Sequence, residues 1–219
     1  RAGLTGPDGP THHGMFDLGY LRLFPNMTVM APGDGVDIPE MLQFALTHDG
    51  PVAIRYPKTI ADQVDGHAPT EIELGKSEVF SWGRHGTILC CGTQLTAALQ
   101  AASNLRDSGL DVGVVNARFV KPLDQEVVLR AARESTFIVT VEEAALMGGF
   151  GSAVLECLND AGVSASVERI GVPDEFIEHG DRNELLSLLG LDVTGIVNTC
   201  LRMAKRCGID TSTMPRCAS

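Results

Sequence analysis

From residue 77 onward, strand-length apolar runs alternate with helix-length segments, and few folds other than a layered α/β sheet accept that order. Ser77–Trp82, Thr87–Cys91, Val112–Val115, Phe137–Val141 and Ser166–Val172 read as strands. Thr93–Asp107, Leu123–Arg133, Gly149–Asn159, Glu184–Leu189 and Val193–Lys205 read as helices. Alternation at this spacing implies a largely parallel sheet covered on both faces. The first two strands flank Gly83-Arg-His-Gly86, which reads as a four-residue hairpin turn and makes the first strand antiparallel.

Ahead of this unit lies a shorter one. Gly6-Pro-Asp-Gly-Pro-Thr-His-His-Gly-Met-Phe-Asp17 packs turn formers around Asp8, His12 and His13, the composition of a stiff loop that displays ionisable groups. Met15–Leu23 is a short helix and Met27–Ala31 a strand closed by Pro32–Gly35. Ile38–Thr47 is an amphipathic helix, with Asp37 as its expected cap and Pro39 in its first turn. Val52–Tyr56 is a strand that stops at Pro57. Residues 61–75 are polar, carry Gly66, Pro69 and Gly75, and read as a linker. The tail from Gly208 reads as frayed.

The net charge of −11 lacks the clustered Lys and Arg that phosphate-backbone binding needs, so a nucleic-acid partner is excluded. By the sequence alone no apolar run approaches the ~18 residues of a bilayer span and no signal-peptide core is visible, so a soluble, intracellular protein with no membrane partner is expected. Cysteines 90, 91, 157, 200, 207 and 217 show neither C-x-x-C nor Cys-His ligand spacing and read as reduced packing residues. No metal site is expected within this chain.

Several side chains have chemistry open to them. Arg55 sits near the carboxyl end of a strand, where open α/β sheets bind ligands, and Pro57 stiffens its exit; it reads equally as an anion-holding fork or as an arginine paired with a carboxylate. Asp8 and His12, four apart in the loop, suit proton transfer, with a purely structural turn as the alternative. A His12–His13 metal pair lacks further ligands. Gly148-Gly-Phe-Gly-Ser152 fits neither dinucleotide nor P-loop spacing and reads as tight strand-to-helix packing rather than a phosphate cradle. Glu142 and Glu143 are adjacent on an extended chain and therefore face opposite ways. Phe176–Gly180 reads as a turn with one polar histidine, His179, without an evident role.

The words Arg1-Ala-Gly, Asp8-Gly-Pro-Thr-His12-His-Gly, Phe16-Asp17-Leu, Pro25-Asn-Met-Thr-Val-Met-Ala-Pro32 and Arg55-Tyr-Pro-Lys58 resemble the 1-deoxy-D-xylulose-5-phosphate synthases, thiamine-diphosphate enzymes of the transketolase superfamily. Asn116–Asp124, Thr140-Val-Glu-Glu143 with Gly148-Gly-Phe-Gly151, and Ile177-Glu-His-Gly180 resemble the C-terminal domain of the same family, so the likeness runs in order through residues 1 to 207.

That resemblance implies condensation of pyruvate with D-glyceraldehyde 3-phosphate, loss of CO2, and a product used for isoprenoid, thiamine and pyridoxal precursors. It implies that Arg1 and Arg55 hold the aldehyde's phosphate and that Asp8 and His12 are polar active-site residues. It also implies thiamine diphosphate and Mg2+ as cofactors, although the segments that hold them in the family are not in this sequence; the chain alone is therefore expected to be inactive. A homodimer is implied, in the cytoplasm or, for a plant or alga, the plastid. The implied layout is residues 1–62 as the C-terminal part of a pyrimidine-binding domain, 63–76 as linker, 77–207 as a three-layer transketolase C-terminal-like domain, and 208–219 as tail. The opening on Arg-Ala-Gly without an initiator Met is what a piece of a longer protein is expected to show. The alternatives are another superfamily enzyme (transketolase, or the beta subunit of a 2-oxoacid dehydrogenase) and a non-catalytic assembly module.

Overall fold

A computed structural model describes residues 1–60 and 62–210. The expected frayed tail and Cys217 fall mainly on residues 211–219, outside the described residues. The front segment holds α1 (Asp17–Leu21), β1 (Thr28–Met30), α2 (Asp37–Thr47) and β2 (Val52–Ile54). The larger unit runs β3 (Glu78–Ser81), β4 (Gly86–Cys91), α3 (Gln94–Asp107), β5 (Val112–Asn116), β6 (Phe119–Lys121), α4 (Gln125–Glu134), β7 (Phe137–Ala145), α5 (Phe150–Asp160), β8 (Ser166–Val172), α6 (Arg182–Leu188) and α7 (Val193–Arg206).

Five strands form one sheet in the order β3-β5-β4-β7-β8, parallel except for β3. The mostly parallel α/β architecture and the antiparallel first strand are thus present, but the hairpin is not. Glu78 pairs with Asn116 and Val79 with Val115, so β5 lies between β3 and β4. Where the chain leaves β3 it passes β5 so closely that a Cβ on Gly83 would stand 2.2 Å from the Gly113 amide nitrogen, an approach that glycine permits.

Alternation along β4 sorts the core into two layers. Ile88 and Cys90 face α3 and α7, with Leu95, Ala98, Leu105, Ile196, Cys200 and Met203. Leu89 and Cys91 face α4 and α5, with Val128, Phe150 and Val154, and this second layer also takes in Leu18, Val29 and Ala31 of the front segment. Burial pushes the Cys91 and Cys200 thiols up to about 12, so both behave as apolar packing residues rather than nucleophiles. The α6–α7 stretch is apolar enough by length and composition to pass for a membrane span. It breaks at Gly190–Asp192, where Asp192 caps α7 through the Gly195 amide at 2.7 Å, and the apolar stripe of α7 faces the sheet.

A second, three-stranded sheet, β2-β1-β6, was not legible as such. β1 and β2 are parallel, whereas β6, contributed by the larger unit, pairs antiparallel with β1. The sheet therefore crosses the boundary expected near residue 62. Asp37 is another correction. It is not the cap of α2, whose N-cap is Val36; its carboxylate accepts from the Gly33 amide and Asn116 Nδ2, each at 2.9 Å, and faces Arg118 at 2.8 Å. A buried cation nearby attracts it more strongly than the open helix end.

The Gly148–Ser152 turn packs tightly, and its Gly148, Phe150 and Gly151 amides are already satisfied from within. Glu142 Oε2 accepts from the Phe150 amide at 2.5 Å and Oε1 from the Gly151 amide at 2.7 Å. Gly149 lies so near that a Cβ would meet Glu142 Oε2 at 2.2 Å. Burial pushes the Glu142 carboxyl up to about 7, against the two amides that favour its ionised form. Because the unfolded glutamate ionises near 4.5, the folded state carries an extra proton between those values, and stability falls as pH rises through the window. Urea unfolding at pH 5 and at pH 7.5 should differ by on the order of 2–3 kcal/mol from this group, a slope absent from Glu142→Gln.

Candidate functional site

The opening loop is held in place by its own backbone and by the turn at 176–180. Gly3 and Gly14 exchange backbone hydrogen bonds at 2.8 Å, and the Ala2 amide donates to the Tyr56 carbonyl at 2.9 Å. His13 turns inward: its Nδ1 accepts from the Thr5 amide at 2.9 Å, which places the proton on Nε2. The Gly180 amide donates to the Gly6 carbonyl, and Ile177 is buried with Leu4 and Met15. Phe176 meets Phe16 edge-on at 5.9 Å. The turn around His179 is thus a buttress for the loop.

This framework shapes a cavity of 690 Å³ whose lining includes Arg1, Phe16, Tyr20, Arg55, Tyr56 and Lys58. Arg55 forms its floor. Its Nε donates to both Asp17 oxygens, at 3.0 and 2.8 Å, and its Nη2 donates to the Gly14 and Glu143 carbonyls at 2.8 Å. Among the described residues Nη1 has no protein acceptor, and it is not among the buried unpartnered atoms. The guanidinium is therefore both things the sequence allowed: paired with a carboxylate on one edge and free on the other.

Arg1 and Lys58 stand at the rim, about half exposed, and both bind Asp8 Oδ2, at 3.1 and 2.7 Å. The Lys58 hydrogen bond chiefly, with the charges of Lys58, Arg1 and His12 adding to it, holds the Asp8 carboxyl below its ordinary value. His12 is exposed, its Nδ1 2.9 Å from Thr11 Oγ1, and no hydrogen bond joins it to Asp8 among the described residues. The structure thus brings Arg1 and Arg55 to one cavity, ties Asp8 to it through Arg1 and Lys58, and leaves the exposed His12 outside its lining.

Two residues and one cluster take part without a clear mark in the sequence. Lys58 ends the Arg55-Tyr-Pro-Lys word, and its spacing past a strand end was a usable signal. Asp17 stands in the quoted Phe16-Asp17-Leu word but needs the fold to meet Arg55. The third is a charge cluster at the seam: His67 donates from Nδ1 to Asp34 (2.8 Å) and from Nε2 to Glu78 (3.0 Å), while Arg118 reaches Asp37, Glu78 and Thr70. Burial alone would lower the His67 pKa, but the bond to Asp34 and the Glu78 charge outweigh it and raise it. This cluster fastens residues 62–76 to both units.

Family models match both parts of the chain: transketolase, pyrimidine binding domain, over residues 1–63, and transketolase, C-terminal domain, over residues 75–196. The chain belongs to the transketolase family. Within it, the sequence is 48% identical over 209 residues to the 1-deoxy-D-xylulose-5-phosphate synthase of Rhodopirellula baltica, covering 95% of this chain and 33% of that protein. It is also 48% identical over 198 residues to 1-deoxy-D-xylulose-5-phosphate synthase 1 of Geobacter sulfurreducens, covering 90% of this chain and 31% of that one. The chain thus spans about a third of the length of these curated relatives. Among solved structures, a split-gene transketolase described as an inactive beta4 tetramer superposes with a TM-score of 0.81 at 30% identity, over 90% of this chain and 63% of that one. Campylobacter jejuni transketolase shares the fold, with a TM-score of 0.72 at 21% identity, over 90% of this chain and 29% of that one.

Proposed function

We propose that this chain supplies the acceptor-aldehyde end of a 1-deoxy-D-xylulose-5-phosphate synthase, in which pyruvate and D-glyceraldehyde 3-phosphate condense with loss of CO2. The observation that carries the reading is the convergence of Arg1, Lys58 and the open edge of Arg55 on one cavity. Three cations line the cavity against the two carboxylates, Asp8 and Asp17, that pair with them, so a net positive charge remains for a phosphate, to which Arg55 Nη1 can donate. Its likeness to the Rhodopirellula and Geobacter synthases gives the substrate pair. Asp8, held between Arg1 and Lys58, is an acceptor for an aldehyde hydroxyl. His12, with Nδ1 turned to Thr11, stands outside the cavity lining, and the phosphate reading does not draw on it.

The reaction also calls for thiamine diphosphate and Mg2+, and the residues present do not fit that pair. The candidate ion-holding cluster found among the described residues is Asp34, Asp37 and His67. Its atoms are engaged with one another and with Arg118, whose charge opposes a cation. The amides at the start of α5, which otherwise suit a diphosphate, already hold Glu142. Among the described residues no group fits the cofactor, and this chain's part in the reaction is the acceptor site alone.

The test is an assay with pyruvate, D-glyceraldehyde 3-phosphate, thiamine diphosphate and Mg2+ in a polypeptide that joins this chain to a thiamine-binding half. Lys58→Met is expected to raise KM for the phosphorylated aldehyde by about tenfold, the order of one charge-assisted hydrogen bond, while KM for pyruvate stays within twofold. Equal changes for the two substrates, or turnover of a ketose donor but not of pyruvate, would count against the proposal.

A further inference from the structure

Glu143 is a buried carboxylate, 2% exposed, that the proposed chemistry does not use. It lies near the end of β7 in the larger unit, yet it holds the front segment at two points, Leu4 and Arg55. Oε1 accepts from the Leu4 amide at 2.6 Å. Oε2 accepts from Thr93 Oγ1 at 2.9 Å and from Arg182 Nη2 at 2.5 Å. Arg182 Nε in turn donates to the Leu4 carbonyl at 3.2 Å, so the Glu143–Arg182 pair grips both backbone groups of one loop residue. The main-chain carbonyl of Glu143 accepts from Arg55 Nη2 at 2.8 Å.

One residue therefore touches both guanidinium-bearing segments: the Arg1–Leu4 segment through its side chain, and Arg55 through its backbone. The fit is close. Gly3 has φ +64°, and a Cβ there would stand 2.3 Å from Glu143 Oε1, so that neighbour has to be glycine. Its sequence neighbour Glu142 points the other way, to the start of α5.

Resting on the acceptor-site reading above, we infer that Glu143 is a positioning residue: with Arg182 it lets the C-terminal unit set the separation of Arg1 and Arg55 and so the grip on the aldehyde's phosphate. The carboxylate supplies two acceptor oxygens in a site closed to water, where an unmade bond to an amide is costly and the loop has no other anchor of equal geometry at Leu4. The C-terminal unit thus contributes to substrate affinity without touching substrate.

Amide hydrogen exchange on the chain itself tests this independently of any ligand. Glu143→Ala is expected to speed exchange at Gly3 and Leu4 by about tenfold or more, while amides of β4 and β7 keep their protection. Glu143→Gln, which retains an oxygen for the Leu4 amide, should restore most of it. Arg182→Met, which removes the partner but leaves Glu143 in place, carries the same readout if the alanine variant fails to fold. In the complete enzyme the same substitutions should raise KM for glyceraldehyde 3-phosphate about tenfold with KM for pyruvate and kcat little changed. Unaltered exchange at Leu4, or a loss of protection spread evenly through the sheet, would overturn the assignment. If instead the loop loosens but wild-type chain shows no preference for the phosphorylated aldehyde, the positioning role stands and the acceptor-site reading fails.

Discussion

Replacing Arg55 with alanine is expected to cost the folded chain about 3 kcal/mol, a fall in Tm of about 6–12 °C, and to remove the phosphate preference of the cavity in the same step. The two losses share a cause. Arg55 is 7% exposed and its Nε edge neutralises Asp17, whose side chain is 17% exposed. Truncation strands a partly buried carboxylate and frees the Gly14 and Glu143 carbonyls. Arg55→Lys separates the two effects: it keeps a positive charge near Asp17 but cannot present a second edge to the cavity. Thermal unfolding should therefore recover part of the loss in the lysine variant, while affinity for the phosphorylated aldehyde should not recover. A lysine variant that binds like the wild type would remove Arg55 from the anion site.

Arg118→Met is expected to be comparably damaging, at about 3–5 kcal/mol, although it lies away from the cavity. Arg118 adopts φ 53° and is 5% exposed, and it balances Asp37 and Glu78 at the seam between the units. Without it the cationic form of His67 is the remaining local counter-charge. Because the folded-state pKa of His67 is raised above the ordinary 6.5, the stability it adds is fully present below that value and is lost as pH rises through the higher one. The variant should therefore lose stability more steeply than wild type on the alkaline side of pH 6.5. Denaturant midpoints taken from pH 6 to pH 8.5 decide it, and parallel curves for the two proteins would show that His67 does not share the charge.

Periodicity carried the larger sheet well, because each strand of a doubly covered sheet is apolar on both faces and each covering helix has its own stripe. Ser166–Val172 has the expected limits, and the helices differ by a residue or two at their ends. What failed was strand order. A short run such as Ser77–Trp82 reads the same whether it pairs with its chain neighbour or with β5, and the close approach of Gly83 to Gly113 is invisible until both are placed. Phe119–Lys121 was missed for a related reason: three residues after a left-handed Arg118 carry no period, and their strand character comes only from β1.

At the site, the sequence marked residues by type and word but not by partner. Arg1, with Asp8 bound to it, and Arg55 share one site because the loop folds back through Gly3 and Gly14 onto the Arg55–Pro57 turn. Lys58 carries only the weak signal of its place past a strand end, since exposed lysines are common there. Glu143 was weighed only as half of a carboxylate pair; its role depends on Leu4, which is 139 positions away in the chain.

The central claim is that Arg1, Arg55 and Lys58 form one phosphate-holding cup. Titrating the 219-residue chain with D-glyceraldehyde 3-phosphate and, separately, with D-glyceraldehyde, while following the side-chain nitrogen resonances of these three residues, tests it most directly. The expected result is saturable, concerted shifts at all three with the phosphorylated aldehyde and none with its neutral counterpart. Shifts confined to the exposed Arg1 and Lys58, with the Arg55 guanidinium unmoved, or identical responses to both aldehydes, would contradict it.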